Sequence, residues 1–228
     1  MNHIVSLFDK ELKYLENKIM YMGNFAIDMV NDSVQAMVNK DIALAKQVIS
    51  NDVQLDNTER SIDEKATAII AKRQPMAVDL RQIIGTIRIA SDLERIGDKA
   101  KNIAKRAIRI SGDLPIDEFY PSLEAFAQIT IAQLRKALDA YKLNFVEGIY
   151  DVLRSDDEVD EKYNAMFREL LDYMMKNPDN ITACTHLLFC AKSLERVGDH
   201  ATNIVESLHY IIKGEYLPLD AYHNSDNL

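Results

Sequence analysis

An eleven-residue polar pattern occurs twice in this chain, and no other feature constrains the fold as much. Leu93-Glu94-Arg95-Ile96-Gly97-Asp98-Lys99-Ala100-Lys101-Asn102-Ile103 aligns with Leu194-Glu195-Arg196-Val197-Gly198-Asp199-His200-Ala201-Thr202-Asn203-Ile204 at a constant offset of 101, with eight of eleven positions identical. Unrelated helices share an apolar rhythm, but they do not share L-E-R-x-G-D-x-A-x-N-I. A second echo lies one helix earlier in each half. Asp52-Val53-Gln54-Leu55-Asp56 matches Asp156-Asp157-Glu158-Val159-Asp160 at offset 104. The three-residue difference fits into the loop holding Pro75 or Pro178. The chain is an internal duplication, so each half builds the same unit.

That unit is helical. From Val5 to Asn39 the apolar residues Leu7, Phe8, Leu12, Leu15, Ile19, Met22, Phe25, Ala26, Met29, Val30, Val34 and Met37 recur mostly at steps of three or four, as one helix face requires. Further helices are expected from Asp41 to about Lys72, Ala77 to about Ile110, Pro121 to about Lys142, Asn144 to about Lys176, and Ile181 to Lys213. The longest are on the order of 50 Å, and matched lengths imply antiparallel bundles. Gly214 is placed to cap the last helix. The turn-rich stretch Ser111 to Ile116, with Pro121 after it, falls at the midpoint. The expectation is an all-α protein of two pseudo-symmetric three-helix bundles. Residues 1–112 form the first, 113–120 the linker, 121–213 the second and 214–228 a polar tail.

Composition excludes several classes. Seven Gly and five Pro in 228 residues are too few for a sheet-rich fold with many turns. Thirty-six acids against 27 bases give a net charge of -9, which disfavours a general nucleic-acid binder. No apolar run reaches the ~18 residues of a membrane span, and the N-terminus lacks the layout of a secretory signal. The two cysteines, Cys184 and Cys190, fall on opposite sides of one helix and are expected as buried small side chains in a reducing cytosol. A cytoplasmic protein follows, reaching membranes only through partners.

Four acidic pairs stand at spacing i, i+4: Asp52/Asp56, Glu94/Asp98, Asp156/Asp160 and Glu195/Asp199. This spacing stacks two carboxylates on one helix face at a cost of about 0.2–0.5 kcal/mol per pair. At ~100° per residue, Glu94/Asp98 and Glu195/Asp199 lie outward of the stripes set by Leu93, Ile96, Ala100 and by Leu194, Val197, Ala201. Asp52/Asp56 and Asp156/Asp160 fall instead inside the stripes, the latter among Ile149, Val152, Leu153, Tyr163, Phe167, Leu170 and Leu171. Charges in an apolar seam need partners: Arg95 and Arg196 by salt bridge, or a metal. With Asn102 and Asn203 the donors are carboxylate and amide oxygens, which suit iron, manganese or magnesium rather than zinc. Salt-bridged structural acids are the plain alternative.

Signals for catalysis are weak. Di-iron bundle enzymes use Glu-x-x-His pairs; none is expected here, which disfavours an oxygen-activating enzyme. It holds no phosphate-cradling Gly-rich loop and no G-x-S-x-G. Met20, Met22, Met29, Met37, Met166, Met174 and Met175 are expected as core filler, and His200 as a surface residue.

The doubled Leu-Glu-Arg-x-Gly-Asp motif with Asn102-Ile103 and Asn203-Ile204 resembles the signature of the PhoU family of bacterial phosphate-transport accessory proteins. The likeness runs over nearly the whole chain, including Phe8-Asp9-Lys10-Glu11-Leu12, Arg73-Gln74-Pro75 and Asp79-Leu80-Arg81. It implies two three-helix bundles and negative regulation of the phosphate-starvation response. It further implies coupling of the ATPase subunit of a phosphate ABC transporter to a sensor histidine kinase. Some members hold iron or other metal clusters at such motifs, which implies Glu94, Asp98, Glu195 and Asp199 as ligands with Asp52, Asp56, Asp156 and Asp160 contributing. A non-enzymatic regulator that forms a homodimer is therefore expected. A metal-dependent enzyme and a purely structural scaffold are the rivals, and a scaffold needs only the apolar rhythm, not the repeated polar residues.

Overall fold

A computed structural model describes residues 2–110 and 116–218, with side chains from residue 7 onward. Six long helices run α1 Asn2–Val38, α2 Ile42–Arg73, α3 Val78–Arg109, α4 Tyr120–Leu143, α5 Val146–Lys176 and α6 Ile181–Lys213. Their ends follow local chemistry. Asp41 caps α2 by accepting from the Ala43 and Leu44 amides, both at 2.9 Å. Gly214 closes α6 at φ 80, in the left-handed region that a glycine enters without strain. Lys40 (φ 54) and Asn144 (φ 49) turn the α1–α2 and α4–α5 hairpins. These two residues are 104 apart, so the duplication shows in the backbone as well as in side chains.

α1, α2 and α3 form one three-helix unit and α4, α5 and α6 the other. The units join through α1 against α4 and α3 against α6. α2, α3, α6 and α5 therefore lie side by side, in that order, on one face. Buried apolar side chains from all six helices form a single cluster running across both units. The expected stripes are there: Leu93, Ile96, Ala100 and Ile103 on α3, and Leu194, Val197, Ala201 and Ile204 on α6, are all fully buried. Cys184 and Cys190 are buried and unbridged, and burial pushes the Cys190 thiol up to about 12.

Several expectations are corrected. Of the expected linker 113–120, residues 113–115 lie outside the described residues, while Ile116, Phe119 and Tyr120 are buried and Asp117–Phe119 forms a 3-10 turn leading into α4. The tail is described to residue 218. There Tyr216 stacks on Tyr210 with ring centroids 5.3 Å apart, and Arg88 lies over both rings. On α5, Phe167 and Leu171 are exposed; Val159 and Met166 are buried with Leu170 instead. Met175 is exposed rather than core.

Candidate functional site

The duplicated acids of α2 and α3 face each other across one seam, and those of α5 and α6 across a second. Both seams flank the α3–α6 contact. Each depends on a glycine. A Cβ on Gly97 would overlap Leu55 of α2, and one on Gly198 would stand 2.9 Å from Gln133 Oε1 and 3.0 Å from Val159 Cγ1. The glycine of Leu-Glu-Arg-x-Gly-Asp is thus what lets the neighbouring helix approach.

In the first seam Asp52 is 5% exposed. The Lys101 ammonium bridges it to Asp98, 2.7 Å from Asp98 Oδ1. Burial alone would depress the lysine; its bonds to Asp52 and Asp98 outweigh that and hold its pKa above the usual value. Asp56 and Glu94 are half-buried above it. Burial, and the carboxylates of Asp98, Asp56, Glu59 and Asp52, raise the Glu94 pKa. An acid whose folded pKa is raised lends stability below its unfolded pKa and loses it as pH rises through the folded one. Glu94→Gln should therefore raise the urea midpoint at pH 7, with the difference shrinking below pH ~4.3, the usual glutamate value. Unfolding curves at both pH values check it.

The second seam is wired differently. Asp156 is half-buried and accepts from the Gln133 amide at 2.9 Å. Its pKa is raised by burial first, then by Asp160, Asp199 and Asp157, against the lowering bond from Gln133. Arg196 is 55% exposed and pairs with Asp199 at 2.8 Å, so it is not the partner of Asp156 that the helical wheel suggested. Lys192 pairs with Glu195, whose Oε2 is buried with no hydrogen bond and lies 3.8 Å from Arg196 Nε. Asp160 is exposed, outside the apolar stripe in which the sequence placed it.

Two further placements differ from expectation. Glu94, Asp98, Glu195 and Asp199 are half-buried rather than outward, because α2 and α5 rise beside them. His200 is buried, not at the surface: its Nδ1 lies 3.0 Å from Asp92 Oδ1. Asn203 donates to the same oxygen at 3.2 Å, so it ties α6 to α3 instead of joining the carboxylates, while Asn102 is exposed. Contrary to expectation a Glu-x-x-His does occur, Glu206 to His209, but it belongs to no cluster of three or more His, Cys, Asp or Glu among the described residues, and His209 Nδ1 lies 3.0 Å from the Glu215 carbonyl.

These donors fit a hard cation by type. As the side chains stand, no three His, Cys, Asp or Glu among the described residues converge closely enough to hold one. Lys101, Lys192 and Arg196 engage the carboxylates instead.

Comparison with known proteins accords with this arrangement. The family model described as "PhoU domain" matches twice, over residues 19–107 and 123–208. A phosphate-specific transport system accessory protein PhoU homolog from Rhizobium meliloti (strain 1021) is 54% identical over 212 residues, covering 93% of this chain and 90% of that one. The homolog from Caulobacter vibrioides (strain NA1000 / CB15N) is 45% identical, covering 94% of each. The crystal structure of PhoU from Pseudomonas aeruginosa superposes with a TM-score of 0.86 at 37% identity, over 91% of this chain and 100% of that one. The regulatory PhoU of Streptococcus pneumoniae does so with a TM-score of 0.86 at 27% identity, over 93% and 100%. With its repeated motif, its two matched domains and these relatives, the chain belongs to the PhoU family.

Proposed function

We propose that this protein is a non-enzymatic regulator of phosphate uptake that represses the phosphate-starvation response by docking. Its partners in this reading are the ATPase subunit of a phosphate ABC transporter and a phosphate-sensing histidine kinase, met on the cytoplasmic side. The observation that carries it is the pair of carboxylate-lined seams, α2–α3 and α5–α6, where both copies of the polar motif lie half-buried on one face. A protein that signals without catalysis must bind partners with free energies that differ between their states. No helix among the described residues is long and apolar enough to cross a membrane, so the reading has it reach membrane complexes through their cytoplasmic parts. A strain lacking the gene should express a starvation-induced promoter in abundant phosphate. Normal repression in that strain would refute the reading.

The same carboxylates support a second, subordinate proposal. Glu94, Asp98, Glu195 and Asp199 take a hard cation (iron, manganese or magnesium) weakly, the last three after rotating away from their lysine and arginine partners. Elemental analysis after chelator-free purification should find metal in the wild type and not in a variant with all four changed to Ala. Equal metal in both would reject these ligands.

A further inference from the structure

The two seams are copies in sequence, but their floors are filled differently. In the first, Lys101 supplies an internal cation to Asp52 and Asp98. In the second, Thr202 stands at the equivalent position, and its hydroxyl turns back to donate to the Asp199 carbonyl at 2.6 Å. No lysine or arginine among the described residues reaches Asp156, whose hydrogen bond comes from the Gln133 amide.

Gln133 is the second oddity. Counting the offset of 104 that relates Lys40 to Asn144, its counterpart in the first half is Met29. Both are 1% exposed. A buried amide in place of a thioether is costly unless its polar atoms are matched. Gln133 Nε2 is matched, but Oε1 has no hydrogen-bond partner; it lies beneath Gly198, beside the Asp156 carboxylate. The floor of the second seam therefore presents acceptors, a carboxylate and an amide oxygen, without a cationic donor. A lysine ammonium carries three N–H donors and no acceptor. It matches Asp156 and the nearby Asp199, and the first seam shows an ammonium held between the two equivalent carboxylates, Asp52 and Asp98.

We propose that the second seam is a socket for a lysine side chain from a basic segment of the docking partner, which does there what Lys101 does in the first seam. The surroundings suit a basic partner: Asp157, Glu158, Asp160 and Glu161 are exposed along α5, while the exposed Arg154 is paired with Asp151. Arg196, 55% exposed, leaves Asp199 as the lysine enters. This inference rests on the docking reading above, adds the chemistry of the contact, and has the lysine rather than the hard cation occupy the second seam.

The test is the affinity of the purified protein for the purified transporter ATPase subunit, measured by titration calorimetry at low and physiological salt. Thr202→Lys fills the socket from within and should weaken binding about tenfold. Asp156→Asn keeps the shape, guards against a folding defect in the first variant, and should weaken binding about fivefold with a shallower salt dependence. Gln128→Lys adds the same charge on exposed α4, away from this face, and should bind like the wild type. Wild-type affinity in both Thr202→Lys and Asp156→Asn would overturn the socket while leaving the docking reading intact. A wild-type protein that does not bind the subunit at either salt concentration would overturn both.

Discussion

Lys101→Met should destabilise the protein by about 3 kcal/mol in urea at pH 7, because it leaves Asp52 buried and unpaired. Asp52 is 5% exposed, so little water can replace the ammonium. The lysine pKa is raised in the folded state, by bonds to Asp52 and Asp98 that outweigh burial. A raised folded pKa lends stability that is fully present below the unfolded lysine value of about 10.4 and is lost as pH rises through the folded one. The difference between wild type and variant should therefore stay flat from neutral pH to about pH 10 and shrink only beyond it. Arg196→Ala makes the contrast. That arginine is 55% exposed, and its removal should cost less than about 1 kcal/mol. If the two variants were equally stable, the seam pairing described here would be wrong.

Asp92→Ala should cost about 2–4 kcal/mol, because it strands the buried His200 and the half-buried Asn203 at once. Its carboxylate, 13% exposed, meets His200 Nδ1 at 3.0 Å and the Asn203 amide at 3.2 Å, and these contacts cross from the first half to the second. The repeat does not duplicate the pair: Ser193 and Lys99 stand at the equivalent positions. The joint between halves is thus specified by residues that depart from the repeat. Urea unfolding of the variant measures the cost, and a loss under about 1 kcal/mol would mean that the joint rests on apolar contact alone.

Periodicity made the helices and their inward faces legible, because one helix determines its own apolar stripe. The buried Leu93, Ile96, Leu194 and Val197 needed no tertiary knowledge. The acids were harder. Each four-residue step advances ~40° around a helix, so from Asp52 to Asp56, and from Asp156 to Asp160, the second carboxylate drifts out of the seam. Asp52 is buried and Asp56 half-buried; Asp156 is half-buried and Asp160 exposed. The outward acids of α3 and α6 became half-buried because the neighbouring helix stands beside them, which no single-helix wheel contains. His200 is covered for a similar reason, by α3 of the other half. Lys101 and Gln133 lay outside the sequence reading because their roles depend on what faces them. A comparison of the halves does flag both, since Lys101 aligns with Thr202 and Gln133 with Met29.

The central claim is that the face of α2, α3, α6 and α5, with its two carboxylate-lined seams, does the repressing. It is tested most directly by a starvation-promoter reporter in cells whose only copy carries Glu94→Lys with Asp160→Lys. Both sites can accept a lysine: Glu94 lies among four other carboxylates, and Asp160 is exposed. The account predicts a variant with wild-type helical circular dichroism and a promoter that stays on in abundant phosphate. A folded variant that still represses fully would contradict it.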